Sequence, residues 1–249
     1  MKKLTNQQLS QEEEYIFPYH YDDIRTGSFC NIDYLSVLRT IKNMIYPFNG
    51  QKLLDAGCGD GRFCYELRNE NINITGVDYS EKALAFARAF NPSINFQQED
   101  LFELPFEKEF DVITLVDVLE HIQLDKIEKV KDSLWRALKN SGRIILSVPS
   151  TNRPLSAKHY QHFTKETLVE CLGSKFELIK IVGHSKGGRY RRRYLRLREL
   201  CRLAWLLRNK IPKIKRIIDY RKTYYEKHLE FCEPHEASRL IAEFKKKIS

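Results

Sequence analysis

Three glycines that directly follow an apolar run constrain this chain more than any other feature. The apolar run ends at Asp55; Gly57, Gly59 and Gly61 follow at steps of two, and a helix-like pattern begins at Arg62. Because glycine has no Cβ, a strand ending in such a turn can bring backbone N–H groups against a bound ligand. Dinucleotide sites place the third glycine five positions after the first, whereas here it follows at four. The spacing therefore indicates a ligand-binding turn that differs from the dinucleotide fingerprint.

Strand-like and helix-like segments alternate from residue 51 onward, which predicts an α/β fold with a parallel sheet and helices on both faces. Continuous apolar runs, such as Val112–Val116 and Ile144–Leu146, are typical of strands that are buried on both faces. The apolar spacing predicts strands at 51–56, 72–78, 94–98, 110–116, 143–148, 176–182 and 239–246, and helices at 33–46, 61–69, 81–90, 123–139 and 164–173.

The first 35 residues lack this alternation and are predicted to form an irregular arm. An aromatic cluster at 15–21 surrounds Pro18, and we expect it to fold onto the domain because aromatic rings are rarely left in water. Residues 1–14 are polar and acidic, so no signal peptide is expected, and no stretch approaches the roughly 18 apolar residues of a spanning helix. Six scattered cysteines suit a reducing compartment, which predicts a cytoplasmic protein.

The basic residues are concentrated in one segment. Residues 186–228 hold 16 Lys and Arg against 3 Asp and Glu, a local charge of +13, so the rest of this +9 chain carries −4. Apolar residues recur there at helical spacing, which predicts an amphipathic helix with a cationic face that Pro212 ends or kinks. The predicted apolar stripe consists of Leu197, Leu200, Leu203, Trp205 and Leu207.

Two acids follow neighbouring strands. Asp78 ends the second strand, where a carboxylate can accept hydrogen bonds from both hydroxyls of a ribose. The alternative for Asp78 is a helix N-cap, although Ser80 already fits that role. Asp100 follows the third strand, where an acid can bind an adenine amino group or lie in a solvated loop. The preceding glycine turn favours a ligand-binding role for both acids.

These motifs resemble the class I S-adenosylmethionine (SAM)-dependent methyltransferases. Val118–His121 and His159–Thr164 are similar to the branch that contains ubiquinone-biosynthesis O-methyltransferases and many sugar and natural-product methyltransferases. The resemblance covers residues 51–150 and rests on Leu53–Gly61, Gly76–Asp78, Glu99–Asp100, Phe110–Val112, Val116–Ile122 and Gly142–Pro149.

The resemblance implies a Rossmann-like sheet of seven strands, in which the last strand is antiparallel and lies beside the sixth. It divides the chain into an N-terminal arm and helix at 1–50, a SAM-binding core at 51–183, a basic helical insertion at 184–235 and a final strand at 236–249. In related enzymes, the arm and the insertion cover the active site.

The resemblance also implies roles for single residues. It places the backbone of Gly57–Gly61 on the methionine part of SAM, Asp78 on the ribose, and Asp100 with Leu101 on the adenine. Val116 and Asp117 would line the methyl-bearing sulfonium. The predicted cofactor-binding set is Asp55, Gly57, Cys58, Gly59, Gly61, Asp78, Tyr79, Asp100, Leu101, Val116 and Asp117.

A methyl transfer to oxygen needs alignment and a base. Holding nucleophile, methyl carbon and sulfur in line can contribute up to about 7–11 kcal/mol. A hydroxyl must also lose its proton, which suits a histidine. His121 and His162 are the main candidates because strand ends form the ligand crevice of such sheets. His20 and Glu120 complete the predicted catalytic set, and a structural role remains the alternative for each histidine.

One group of acidic residues and histidines has a pattern that could bind a metal ion. Asp117, Glu120 and His121, together with His162, partly resemble the divalent-ion site of small-RNA 3′-end methyltransferases. Asp117 replaces a glutamate of that family, and the downstream histidine-rich motif of that family is not cleanly matched. We therefore predict no metal site.

The sequence thus predicts a SAM-dependent methyltransferase that acts on oxygen of a small molecule, a sugar or a lipid-linked glycan. The alternatives are an RNA methyltransferase whose basic insertion binds phosphates, and a SAM-binding scaffold without catalysis. The insertion fits a solvated lid or a contact with an anionic membrane surface, which would place the protein at the inner face of the membrane. Nucleic acid is the less favoured partner because the basic segment has few stacking aromatics besides its tyrosines.

Overall fold

The computed structural model describes residues 5–26, 31–206 and 214–248. Short 3₁₀ turns lie at Tyr19–Tyr21, Leu119–His121, Leu124–Lys126 and Pro234–Glu236. The main elements are, in chain order, α1 (Asn6–Glu14), α2 (Asp22–Thr26), α3 (Ile32–Ile45), β1 (Gln51–Ala56), α4 (Arg62–Leu67), β2 (Ile72–Asp78), α5 (Glu81–Phe90), β3 (Asn95–Gln98), β4 (Phe110–Val116), α6 (Ile127–Ala137), β5 (Leu138–Pro149), α7 (Lys165–Leu172), β6 (Phe176–Lys186), α8 (Gly188–Leu206), α9 (Ile214–His228), β7 (Phe231–Cys232) and β8 (Ala237–Lys246).

The strands form one sheet in the order β3-β2-β1-β4-β5-β8-β6-β7. Strands β1 to β5 pair in parallel, whereas β8 lies antiparallel between β5 and β6. The predicted α/β class and the antiparallel last strand are therefore confirmed. The sheet has eight strands instead of seven, because the two-residue β7 pairs with the end of β6 at Gly183 and His184.

The two faces of the sheet are covered by different helices. Leu53, Val112 and Ile145 pack with α3 and α4, whereas the adjacent Leu54 and Ile113 pack with α6 and α7 on the opposite face. Successive side chains of a strand point to opposite faces, so a strand that is covered on both sides needs an unbroken apolar run. This is why the central strands can be recognised in the sequence.

The N-terminal segment is more regular than the sequence analysis predicted. Residues 6–14 form helix α1, which begins with a capping box between Thr5 and Gln8. The helix has no buried residue, so it lacks the apolar periodicity that would have revealed it. The prediction of an irregular arm is wrong here. As expected, Tyr15 and Tyr21 are buried against the domain, although Phe17 is exposed.

The basic segment forms two helices, α8 and α9, that pack against α3 through an aromatic cluster of Tyr194, Tyr224 and Tyr225 with Ile32. Strand β6 continues to Lys186, beyond the predicted end at 182. Leu200 of the predicted apolar stripe is exposed. Within the described ranges, no helix has the length and apolar character needed to cross a bilayer. Leu207, Pro212 and the side chains of Leu203 and Trp205 lie outside the described residues.

Candidate active site

The glycine turn after β1 lies at the carboxyl edge of the sheet. Gly57 and Gly59 have φ angles of +77° and +54°, and a Cβ on Gly57 would lie 2.7 Å from a methyl carbon of Val118. A Cβ on Gly59 would lie 2.8 Å from the Tyr15 hydroxyl. The turn therefore needs glycine for its backbone conformation and for the close approach of neighbouring side chains. Gly61 packs against Ala87 of α5 and does not line the cavity described below.

Asp78 connects the end of β2 to this turn. Its carboxylate accepts hydrogen bonds from the backbone N–H of Gly59 at 2.8 Å and from that of Ser80 at 2.9 Å. Ser80 caps α5 through Ala83, so Asp78 is not needed as the helix cap. Burial raises the pKa of Asp78 to about 6, against the opposing effect of these hydrogen bonds. A ligand that donates hydrogen bonds to this carboxylate would favour its charged form.

A large cavity extends from this edge of the sheet. It has a volume of about 1180 Å³, whereas ligand pockets commonly enclose about 300–1,000 Å³. The space is therefore large enough for a nucleoside cofactor together with a second molecule. Every member of the predicted cofactor-binding set except Gly61 lines it: Asp55, Gly57, Cys58, Gly59, Asp78, Tyr79, Asp100, Leu101, Val116 and Asp117.

Helix α1 and the segment that follows it cover the cavity. Gln11 accepts a hydrogen bond from the Tyr79 hydroxyl at 3.3 Å, and Glu14 accepts one from Lys158 Nζ at 2.6 Å. The Tyr160 hydroxyl donates to Gln7 Oε1 at 3.0 Å. These polar contacts fasten α1 over the opening, which agrees with its lack of buried side chains.

Asp117 lies in the middle of the cavity wall, at the end of β4. It adopts a positive φ of 56°, and its carboxylate accepts hydrogen bonds from Ser147 Oγ at 2.8 Å and from Arg239. Burial opposes ionisation, but the Arg239 charge and these hydrogen bonds hold the pKa of Asp117 below its usual value. The site therefore contains a partly buried ion pair beside the predicted sulfonium position.

Three histidines form a chain next to this ion pair. His121 and His159 line the cavity with their ring centroids 4.8 Å apart. His159 Nδ1 lies 2.8 Å from His162 Nε2, which places His162 behind His159 and outside the cavity lining. The sequence analysis favoured His121 and His162, and it missed His159 as the residue that faces the cavity beside His121.

The hydrogen bonds determine which histidine nitrogens carry protons. His121 Nδ1 lies 3.1 Å from the Lys158 carbonyl oxygen, which can only accept, so Nδ1–H is the donor and Nε2 keeps a lone pair. His162 Nδ1 likewise donates to the Arg153 carbonyl oxygen at 3.2 Å. His162 Nε2 must then accept from His159 Nδ1–H, which leaves the lone pair of His159 on Nε2. Both cavity-lining histidines therefore offer an unprotonated Nε2.

All three histidines are neutral at pH 7. Burial lowers the pKa of His121 and that of His162. Burial, together with the charges of His121 and His162, lowers the pKa of His159 to about 4. Neutral imidazoles can accept a proton from a bound acceptor, whereas imidazolium ions could not.

Glu120 completes this corner of the cavity. It is buried, and its Oε2 has no hydrogen-bond partner among the described residues. Burial and the Asp117 charge raise the pKa of Glu120 well above its usual value. Glu120, His121 and His159 each offer a ligand atom, all within 4.8 Å of one another, which is a spacing that could hold a divalent ion.

His20, the third candidate, lies on the opposite side of the cavity. Its Nδ1 lies 3.0 Å from Asp60 Oδ1, and its ring stacks on Tyr34 with centroids 4.9 Å apart. Because the carboxylate accepts, Nε2 of His20 also keeps a lone pair when the ring is neutral. No sequence signal pointed to Asp60 as the partner, since the two residues lie 40 positions apart.

The comparisons with known proteins agree with this geometry. Residues 54–146 match the family model described as a methyltransferase domain. The chain is 27% identical over 115 residues to a ubiquinone biosynthesis O-methyltransferase of Rickettsia bellii, covering 45% of this chain and 47% of that protein. It is 28% identical over 158 residues to a ubiquinone/menaquinone biosynthesis C-methyltransferase of Geotalea daltonii, covering 58% of this chain and 66% of that protein.

The match identifies a methyltransferase domain over residues 54–146. A TehB-like SAM-dependent methyltransferase of Corynebacterium glutamicum shares the fold of this chain, with a TM-score of 0.61 and 18% identity over 96% of this chain and 100% of the other. A phosphoethanolamine N-methyltransferase of Haemonchus contortus, solved in complex with SAM, has a TM-score of 0.57 and 18% identity over 92% of this chain and 59% of the other. The chain spans about half the length of the first curated relative, 47%.

The residues that line the cavity fit SAM. Gly57 and Gly59 leave room that a Cβ would fill, and Asp78 offers a buried carboxylate toward the cavity. These residues would hold the methionine and ribose parts, with Asp100 and Leu101 near the adenine. When bound, SAM supplies a methyl group activated by its sulfonium. Alignment and desolvation would fall to the residues of the cavity wall.

Proposed function

We propose that this chain transfers a methyl group from SAM to a hydroxyl oxygen of a small molecule, a sugar or a lipid-linked glycan. The observation that carries the proposal is the cavity that joins the glycine turn and Asp78 to the Nε2 atoms of His121 and His159. A nucleophile, a methyl donor and a base can meet there without crossing solvent. The relatives named for ubiquinone biosynthesis support a small hydroxylated acceptor.

The histidine chain supplies the base in this proposal. An acceptor hydroxyl beside Nε2 of His121 or His159 would give up its proton as the new carbon–oxygen bond forms. The Lys158 and Arg153 carbonyl oxygens fix the ring tautomers so that each lone pair stays on the cavity side. General base catalysis of this kind contributes typically about 10²–10⁴-fold to a rate.

The test is turnover of SAM with a panel of phenols, sugars and lipid-linked glycans. Replacing both His121 and His159 with alanine should slow turnover by roughly 10²-fold or more while leaving affinity for S-adenosylhomocysteine (SAH) unchanged. His235→Ala is the matched control, because His235 is exposed and does not line the cavity. An unchanged rate in the double variant would contradict the proposed base.

The same assay separates the alternatives. If a chelator abolishes turnover and a divalent salt restores it, the group of Glu120, His121 and His159 holds a metal ion instead of acting as a base. If SAH binds but no acceptor class is methylated, the scaffold alternative is correct.

We also propose that the cationic face of α8 and α9 contacts an anionic lipid surface. The support is the set of exposed arginines on α8, which includes Arg189, Arg192, Arg193, Arg196 and Arg198. The aromatic side of the two helices packs against Ile32 of α3. The charged side is therefore the one that could contact an anionic lipid surface.

A further inference from the structure

One guanidinium in the cavity, that of Arg153, has no partner in the part of the chain that the structure describes. Arg153 lies in the loop after β5, where its backbone N–H donates to the Ser150 carbonyl oxygen at 3.0 Å. Its own carbonyl oxygen accepts the hydrogen bond from His162, so the backbone is held on both sides. The side chain lines the cavity together with Arg239. Among the described residues, none forms a hydrogen bond or an ion pair with the Arg153 guanidinium.

The surroundings of Arg153 are unusual for an unpaired cation. Burial, followed by the nearby charges of Arg239 and Arg191, lowers the pKa of Arg153. The carboxyl groups that interact favourably with it are Asp117, Asp33 and Glu120. Asp117 is already bound to Arg239 and Ser147. The Arg153 guanidinium therefore lines the cavity beside a second arginine, and no carboxylate among the described residues is hydrogen-bonded to it.

We propose that Arg153 binds an anionic group of the acceptor, either a carboxylate or a phosphate, with Arg239 and Arg191 adding to the positive field. This inference rests on the proposed function, because it concerns the acceptor end of the same cavity. A planar guanidinium can donate two parallel hydrogen bonds to either anion, which fixes orientation as well as affinity. Such a contact would hold the acceptor hydroxyl near His121 and His159.

The position of Arg153 favours the acceptor over the cofactor as its ligand. The loop that carries it follows β5, and its carbonyl oxygen is bound to the histidine chain. The glycine turn and Asp78, which fit the cofactor, follow β1 and β2 instead. An anion on Arg153 would therefore lie beside the proposed base, where the acceptor must be.

The test is calorimetric titration of SAH-saturated protein with phenyl phosphate and with benzoate, using neutral benzamide as the uncharged probe. At least one of the two anions should bind, and the Arg153→Gln variant should bind it roughly ten- to hundredfold more weakly. Arg153→Lys should retain part of the affinity. Arg136→Gln is the matched control, because Arg136 is exposed on α6 and does not line the cavity. Benzamide affinity should be the same in all variants.

Three results would overturn the inference. The first is that neither anion binds although SAH does. The second is that the anion binds the parent and Arg153→Gln equally. The third is that Arg153→Gln loses affinity for SAH, which would make the cofactor carboxylate the partner of Arg153. The first two leave the proposed function intact, whereas failure of the parent to bind SAH would remove the proposed function itself. The preferred probe identifies the class, since phosphate selectivity indicates a phosphorylated acceptor and benzoate selectivity indicates a carboxylic acid.

Discussion

Asp78 concentrates the cofactor chemistry in one side chain. Its carboxylate is buried, it is held by the N–H groups of Gly59 and Ser80, and it faces the cavity. Because a charged acceptor hydrogen bond contributes about 1.5–3 kcal/mol, Asp78→Ala should weaken SAH binding by about that amount. Calorimetry measures the effect, and Asp132→Asn on the exposed side of α6 is the control. Equal affinity in parent and Asp78→Ala would show that the ribose does not bind there.

We expect any replacement of Gly57 to be destabilising, because a side chain there would collide with a neighbour. This steric effect can be measured separately from the strain of its positive φ. Gly50 has a similar φ of +71°, but a Cβ there would meet no described atom within 4 Å, whereas a Cβ on Gly57 would collide with Val118. Gly50→Ala should cost about 1–2 kcal/mol from backbone strain alone. Gly57→Ala should cost a further 1–3 kcal/mol, roughly, from overpacking. Urea unfolding compares the two variants, and equal losses would show that Val118 moves away.

Among the elements, α8 offers the clearest test of a partner. Replacing exposed Arg192 and Arg196 with glutamate removes two cations and adds two anions, and each cation near an anionic bilayer contributes about 1 kcal/mol. Co-sedimentation with phosphatidylserine vesicles should therefore be lost in this double variant. The control reverses two exposed cations elsewhere, Arg136 and Lys180. Equal loss in the control would indicate a non-specific charge effect, and tight salt-sensitive binding of an RNA oligonucleotide instead would contradict the lipid proposal.

The elements also show which parts of the fold can be predicted from the sequence and which cannot. Leu54 and Ile113 belong to unbroken apolar runs, so their strands were predictable, as was the glycine turn between β1 and α4. Helix α1 was not, because it covers the cavity with polar contacts and has no apolar stripe. His159 and Arg239 were missed for a related reason. Their roles depend on partners, His121 and Asp117, that are remote in sequence and are brought together only by the sheet edge.

At the scale of the whole molecule, His184 joins the sheet to the basic helices. This buried residue of β6 lies 3.2 Å from Ser36 Oγ of α3 and 3.3 Å from the Tyr225 hydroxyl of α9. Burial, with the charges of Arg239 and Arg39, lowers the pKa of His184 to about 3. The unfolded chain has a histidine pKa of about 6.5, so it binds the extra proton first as the pH falls.

This difference between the folded and unfolded pKa values of His184 determines the direction in which stability changes with pH and the pH range of the change. The contribution of neutral His184 is complete above about pH 6.5 and is lost progressively between about pH 6.5 and pH 3. Between pH 7 and pH 5, the parent should lose about 2 kcal/mol more unfolding free energy than the His184→Gln variant. Urea unfolding at both pH values measures this difference. Parallel losses in the two proteins would show that His184 is not held neutral.

The contacts that hold helix α1 over the cavity bear on how a ligand enters and leaves it. It is fastened by Glu14 on Lys158, by Gln11 on Tyr79 and by Gln7 on Tyr160, and none of its own side chains is buried in the apolar interior. Dissolved ions weaken the Glu14–Lys158 ion pair, whereas they do not screen the two neutral hydrogen bonds or apolar burial in this way. We therefore expect higher ionic strength to loosen the attachment of α1 and to ease the exchange of a bound nucleoside, independently of how firmly the sheet itself is folded.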